Sequence, residues 1–506
     1  MRENFSGKWA FALACIGSAV GLANVWAFPY RAVQFGGGAF LLAYAIIALF
    51  LGLVGVTGEI CVGRWGQTGA FGTFKKAILG AKNLSVFNKK EDKNSEVSNL
   101  QNMQNLQNDF TDKRQISQKT PENHEILRSH SSLANDGDSQ KTTNTTAHSK
   151  LRTSLSNIGI IPVIGSYAIG IGYAVVIGWI LCYLFGTFSG ELLDKSVDIG
   201  GFFGAIIGDF GSVKWHILAL VITFFVLILG VKNGIETANK VMMPLFFLLF
   251  VALGIWVATL PNAVSGYRYL FVPQWEFLAR PQTWIAALGQ CFFSLSLAGC
   301  GTVVYGSYFG RSEDAFDAAK KITFFASITA VLASVVVIPA AFAYNVDLGA
   351  IKGPPLLFII LPEIFRGMPG GWLFGVLFFV AVLFAGVTSI INLFETPVEA
   401  LQNRFGMGRL VATLLTVVLA AAVGVFLENA NVVGVWMDVV SIYIIPLGAL
   451  ISAVVFFWVL GRGVVLEEVN LGRTKRLGSG IWLMGKFLFV PVVVVVLVLG
   501  IVLGGL

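Results

Sequence analysis

The chain has 506 residues, 56% of them hydrophobic and 13% aromatic, with only 12% charged. That balance excludes an ordinary water-soluble domain and fits a polytopic membrane protein. The formal net charge of +7 comes from Lys and Arg between apolar runs, with no interleaved aromatics, so it argues for membrane topology and against a nucleic-acid partner.

About 20 apolar residues cross a hydrocarbon core of roughly 30 Å. The sequence supplies eleven such runs, at 9–30, 38–63, 157–186, 215–231, 240–260, 284–309, 319–344, 371–399, 408–427, 433–460 and 482–504. The first run continues into glycine-rich sequence without an A-x-A-like site, so no cleavable leader is expected. Lys and Arg gather in alternate connections, among them Arg64, Lys75, Lys76, Lys320, Lys321, Arg473 and Arg476. This bias predicts a cytoplasmic N-terminus and, with eleven spans, an outside C-terminus.

Three regions follow: spans one and two in 1–82, a polar cytoplasmic linker in 83–152, and spans three to eleven in 153–506. The linker is rich in Asn, Gln, Ser, Thr and Lys and nearly free of aromatics, so disorder is expected. His124, His130 and His148 fall there at unequal spacing and suggest no metal site. The five cysteines lie in or beside apolar runs without metal-type spacing and are read as packing residues.

Two spans break the membrane's backbone rule, which tolerates interruptions only where protein or a cavity accepts the freed N–H and C=O groups. The breaks are "GSAVGLAN" (17–24) in span one and "FFSLSLAGCG" (292–301) in span six. Either alone could be a small-residue packing face. Their placement at the head of spans 1–5 and of spans 6–10 points instead to inverted repeats with a site near the bilayer midplane. Broken-helix carbonyls suit a cation and broken-helix N–H groups a carboxylate. Asn24, Ser294, Thr388 and Ser389 add neutral oxygens, although a lone intramembrane Ser or Thr usually bonds back to its own helix. Glu59 and Glu395 are costly intramembrane acids. They are read as structural carboxyls, with proton relay as the alternative.

"GSAVGLANVWAFPY", "GGGAFLLAY" and "GEICVGR" resemble the signature of the neurotransmitter:sodium symporters. So do "GVKNGIETANKVMMP", "GQCFFSLSLAGCGTVVYGSY" and "FAGVTSIINLFE", and the similarity spans the chain apart from the linker. The resemblance implies an all-α membrane protein with eleven transmembrane helices, two inverted five-helix repeats and broken helices 1 and 6. It implies sodium-driven uptake of an amino acid or related solute across a plasma (bacterial inner) membrane, and no enzymatic activity. Substrate contacts would be Ala19, Gly21, Leu22, Ala23, Ile169, Tyr173, Phe293 (also a lid), Ser294, Ser296, Gly299, Ser389 and Leu393. One sodium would meet Gly17, Val20, Ala385, Thr388 and Ser389.

A second sodium would use Ala19, Asn24 and Ser294, but span seven lacks the Asn or Asp that usually completes it. Chloride use is open, since Thr329 stands near a position that carries an acid in some members. Ala27 replaces the usual outer-gate arginine, so Arg31, one turn on, is read as the partner of Asp438. A snorkelling Arg and a helix-end Asp are the plainer alternative. At the inner gate Arg2 is kept, with Phe5 and Asn403 in place of the usual Trp and Asp. Gly299 stands where many members carry a bulky ring, so a bulkier substrate side chain is expected. Alternative functions are proton-coupled transport and a substrate-sensing receptor on a transporter fold. Oligomeric state is not predicted.

Overall fold

The computed structural model describes residues 4–25, 27–80, 157–297, 300–346 and 355–503. Arg2, Gly299 and the linker at 83–152 lie outside the described residues, as does the side chain of Ala23.

The described residues are helical throughout the apolar runs, because in lipid only an intrasegment ladder satisfies every backbone group. Span one is Lys8–Ala19, then Leu22–Val25 and Ala27–Gln34 after the break; span six is Pro281–Ser294, then Gly301–Ser307. Spans two, three and five are Gly38–Gly66, Ile160–Phe188 and Val231–Ala258, and span four is Val213–Ile228. Spans seven to eleven are Ala315–Ala343, Gly371–Phe405, Arg409–Leu427, Ala430–Val459 and Gly480–Val502. Both interruptions expected from the sequence are present.

Span five starts at Val231, not near residue 240. The polar stretch "VKNGIE" reads as a loop, yet it winds as a π-helical turn. Its acid is satisfied by contacts that periodicity does not reveal: Glu236 accepts the Ser6 N–H at 2.9 Å and pairs with Lys240 at 2.5 Å. Short helices outside the eleven passages, such as Ala70–Gly80, Ile199–Ile206 and Ala263–Phe271, were not expected as separate elements.

The packing follows the repeat. Both halves of span one lie on span seven, and both halves of span six lie on span two. Span three packs along span eight, and span four along span nine. Pairing 1 with 7 and 6 with 2 is the exchange that a pseudo-two-fold axis between two five-helix halves produces. It leaves the two breaks facing spans three and eight.

Buried ion pairs tie the bundle together. The Glu395 carboxylate accepts Arg409 Nη1 and Nη2 at 3.1 and 2.7 Å and the Tyr308 hydroxyl at 2.9 Å. Arg64, fully buried, donates Nε to Glu468 at 3.1 Å and Nη1 to the Glu313 carbonyl at 2.6 Å. His216 is buried in the first turn of span four, with Nδ1 3.1 Å from Glu428; the other Glu428 oxygen accepts the Ser212 N–H and hydroxyl. All five cysteines are buried and unpaired.

Candidate functional site

The first helix of span one carries Gly17 in its last turn and ends at Ala19, just before Gly21. Val20 leaves the helical region with ψ 73°, its N–H still reaching the Ile16 carbonyl. The Gly21 N–H folds back to Ala19 and the Asn24 N–H to Gly21. The carbonyls of Gly17, Ser18 and Val20 thereby lose their helical partners and turn toward span eight. Ser389 Oγ lies 3.3, 3.3 and 3.4 Å from these three oxygens. One hydroxyl has one proton, so it cannot satisfy three acceptors. Thr388 adds a hydroxyl committed to Phe384 and Ala385 carbonyls at 2.8 and 3.2 Å. The cluster is rich in oxygen and short of donors, as a hard-cation site must be. Gly17, Val20, Ala385, Thr388 and Ser389, the first sodium set, are therefore together.

Two glycines are required by close approach. A Cβ on Gly21 would meet Tyr173 Oη at 3.0 Å and Ser389 Oγ at 3.5 Å, and one on Gly17 would meet Asn239 Oδ1 at 1.9 Å. Tyr173, from span three, reaches the broken backbone only because residue 21 lacks a side chain.

Beside this cluster lies a cavity of about 60 Å³ lined by Ser18, Ala19, Gly21, Ile169, Tyr173, Phe293, Ser296, Ser389 and Leu393. Most of the expected substrate contacts meet here. Ser296 anchors its rim by donating to the Ser18 carbonyl at 2.9 Å, which bridges the two breaks. Leu22 is buried but is not among the lining residues, and Ser294 points elsewhere. Sequence reasoning missed Asn392, which also lines the cavity, is 1% exposed and has an Nδ2 without a hydrogen-bond partner. The Tyr305 hydroxyl faces it without an aligned hydrogen bond. The signal was an Asn one helical turn from Ser389 on the same face, within a motif quoted for its hydroxyls.

The second sodium set is also assembled, but its groups satisfy one another. Gln290 Nε2 donates to Ser294 Oγ at 2.9 Å, Ser294 Oγ to Asn24 Oδ1 at 2.5 Å, and Asn24 Nδ2 to the Ala19 carbonyl at 3.0 Å. From span seven, Thr329 bonds back to Phe325, and Ser334 to Ala330.

A larger cavity of about 340 Å³ sits on the other side of Phe293 and is lined by Arg31 and Asp438 together with Ala27 and Gln290. Phe293, Tyr173 and Ile445 border both cavities, so the Phe293 ring forms part of the partition between them. Arg31 also approaches the Ala286 carbonyl at 3.5 Å. At the opposite end, Phe5 packs edge-on against Phe11 and Tyr305 at 5.6 Å each, and its N–H reaches the Tyr308 carbonyl. Asn403 is engaged by Glu399, which also accepts the Gly69 N–H.

The two intramembrane acids differ. Glu395 is saturated by Arg409 and Tyr308, which fits a structural carboxyl. Glu59 faces Thr302 and, among the described residues, keeps one buried oxygen without a partner.

The profile of the Sodium:neurotransmitter symporter family matches residues 2–81 and 198–504. The sodium-dependent transporter YhdH of Bacillus subtilis is 30% identical over 407 residues, 79% of this chain and 74% of that protein. The sodium-dependent nutrient amino acid transporter 1 of Drosophila grimshawi is 24% identical over 539 residues, 98% and 76% of the two chains. The crystal structure of MhsT in complex with L-phenylalanine superposes with a TM-score of 0.76 at 27% identity, covering 98% of this chain and 99% of that one.

Proposed function

The chain belongs to the sodium:neurotransmitter symporter family, and from that premise we propose that it takes up an amino acid with a bulky, aromatic side chain by sodium-coupled alternating access. It is a multi-pass membrane transporter, not an enzyme. The observation that carries the reading is the convergence of three carbonyls that have left the helical ladder on one Ser389 hydroxyl, next to a small cavity. Sodium supplies the positive charge that those oxygens lack. The substrate carboxylate sits across the same break, beside the Gly21 backbone and Tyr173. The two ligands therefore complete one composite site, and their joint binding biases the equilibrium between states open to either side. The L-phenylalanine complex of MhsT supports an aromatic-sized side chain.

One sodium per substrate is the stoichiometry in this reading. The Gln290, Ser294, Asn24 and Ala19 chain leaves no surplus of acceptors like that around Ser389. Arg31 and Asp438 form the outer latch across their shared cavity, with the N-terminus on the cytoplasmic side. For the latch, a charge-swapped R31D/D438R pair transports better than either single mutant; a pair no better than the singles removes it.

The test is uptake of radiolabelled phenylalanine into proteoliposomes under an inward sodium gradient, followed by competition with the other amino acids. Uptake abolished when potassium replaces sodium is the expected result. Uptake that persists without sodium under a proton gradient overturns it and favours proton coupling, for which the unpartnered Glu59 oxygen is the supporting observation.

A further inference from the structure

Asn239 lies fully buried in span five, three residues beyond the π-helical turn Val231–Glu236. Its amide orientation is fixed, because Nδ2 donates to the Ile235 carbonyl at 2.8 Å and the other atom must then be the oxygen. Among the described residues that oxygen has no hydrogen-bond donor. Its direction is given by Gly17: a Cβ there would meet Asn239 Oδ1 at 1.9 Å and the Thr388 Cβ at 3.0 Å. A bare amide oxygen therefore lies against the last turn of the broken helix, beside two members of the oxygen cluster around Ser389.

A buried acceptor without a donor is normally avoided. Among the described residues no donor reaches it: the Thr388 hydroxyl is committed to the Phe384 and Ala385 carbonyls, and the Ser389 hydroxyl lies among those of Gly17, Ser18 and Val20. Only a cation or a water can satisfy the Asn239 oxygen from that side. The other side leads outward. One turn before Asn239 is Glu236, which holds the Ser6 N–H, and the next residue, Lys240, is half-exposed. Pro244, in the same helix, has no N–H to contribute to the ladder, so this part of span five is held by fewer backbone bonds than its neighbours. Asn239 thus stands between the cation cluster and the end of the bundle where the N-terminal segment docks.

We propose that Asn239 Oδ1 is a sodium ligand on the release route, receiving the ion as it leaves Gly17, Val20, Ala385, Thr388 and Ser389 toward the Glu236 end. The inference rests on the sodium-coupled reading above. A neutral amide oxygen suits the role: it lowers the cost of losing the cluster's carbonyls, yet it does not hold the ion as a carboxylate would.

The experiment measures the sodium concentration giving half-maximal phenylalanine binding to the full-length protein, at pH 5.5 and pH 8, for wild type, N239L and N239D. The wild-type value is expected to be similar at both pH values. N239L raises it about five- to tenfold while binding at saturating sodium is kept. N239D lowers it at pH 8, where the new carboxylate is charged, and loses that gain at pH 5.5 as the carboxyl takes up its proton. A purely structural asparagine would not produce sodium affinity that follows the titration of residue 239. Sodium dependence in N239D equal to wild type at both pH values overturns the proposal, and so does unchanged dependence in N239L. If N239L fails to fold, the pH response of N239D decides alone. Wild-type binding that ignores sodium altogether defeats the symport reading instead, which separates the two failures.

Discussion

At the scale of single residues, the proposed site divides into groups assigned to sodium and groups assigned to the substrate. Ser389 touches three carbonyl oxygens. Removing its hydroxyl in Ser389→Ala takes one oxygen from the cation and leaves the others in place. The expected loss is about 1.4 kcal/mol, or about tenfold in sodium affinity, read from the sodium dependence of substrate binding. Unchanged sodium dependence would remove Ser389 from the ion site. In the proposed site Asn392 meets the substrate side chain: among the described residues its Nδ2 has no aligned hydrogen bond, in a cavity otherwise lined there by Ile169, Phe293 and Leu393. A buried donor left unpaired costs about 1–3 kcal/mol, so the pocket should favour a side chain ending in an acceptor. Tyrosine is then expected to compete for uptake at least as well as phenylalanine, and Asn392→Leu to reverse that order by about tenfold. A mutant with the wild-type order would show that the amide does not read the substrate.

At the scale of elements, the spans and both interruptions were legible because their signals are local: a run of apolar residues, and glycines where the ladder must open. The partners of charged groups were not legible. Glu395 and Arg409 are 14 residues apart across the turn between spans eight and nine, and no periodicity links them. Arg64 and Glu468 are 404 residues apart. The same holds for span five, where Glu236 in the polar opening turn is satisfied by Ser6, 230 residues away, as well as by Lys240. Asn392 and Asn239 were visible as residues, but their unpaired atoms exist only once the helices are assembled. The Glu395 pair makes this testable. Glu395 is fully buried and Arg409 is 18% exposed. Removing one partner of a buried pair costs about 3–5 kcal/mol, and the partial exposure of Arg409 places Glu395→Gln near the lower limit. Thermal unfolding in detergent should show this mutant markedly less stable than wild type, and E395Q/R409Q should recover part of the loss. A double mutant no more stable than the single would mean the guanidinium is not the group left stranded.

At the scale of the whole molecule, the two ends of the bundle are in different states. Around Arg31 and Asp438 a cavity of about 340 Å³ reaches Phe293. At the other end Phe5 is inserted among Phe11, Tyr305 and Tyr308, and Ser6 is held by Glu236. Tyr305 belongs to the second half of span six, so the N-terminal segment fastens one broken helix to the other. Under the proposed alternating mechanism this contact stabilises the form closed at that end, and sodium stabilises the same form by completing the cluster at Ser389. Phe5→Ala weakens the closure without touching an ion ligand. The apparent sodium affinity scales with the fraction of molecules in the binding-competent form, so reducing that fraction about tenfold raises the half-saturating sodium concentration by the same factor. Saturating sodium should then restore full substrate binding, because mass action repopulates the closed form. Ser389→Ala also weakens sodium binding, but it changes the ligand set and so should alter the preference for sodium over lithium. Phe5→Ala should lower apparent affinity for both ions in proportion and leave their ratio unchanged. Were Phe5→Ala to shift that ratio, the N-terminal segment would be acting on the geometry of the ion site and not on the balance between the two states.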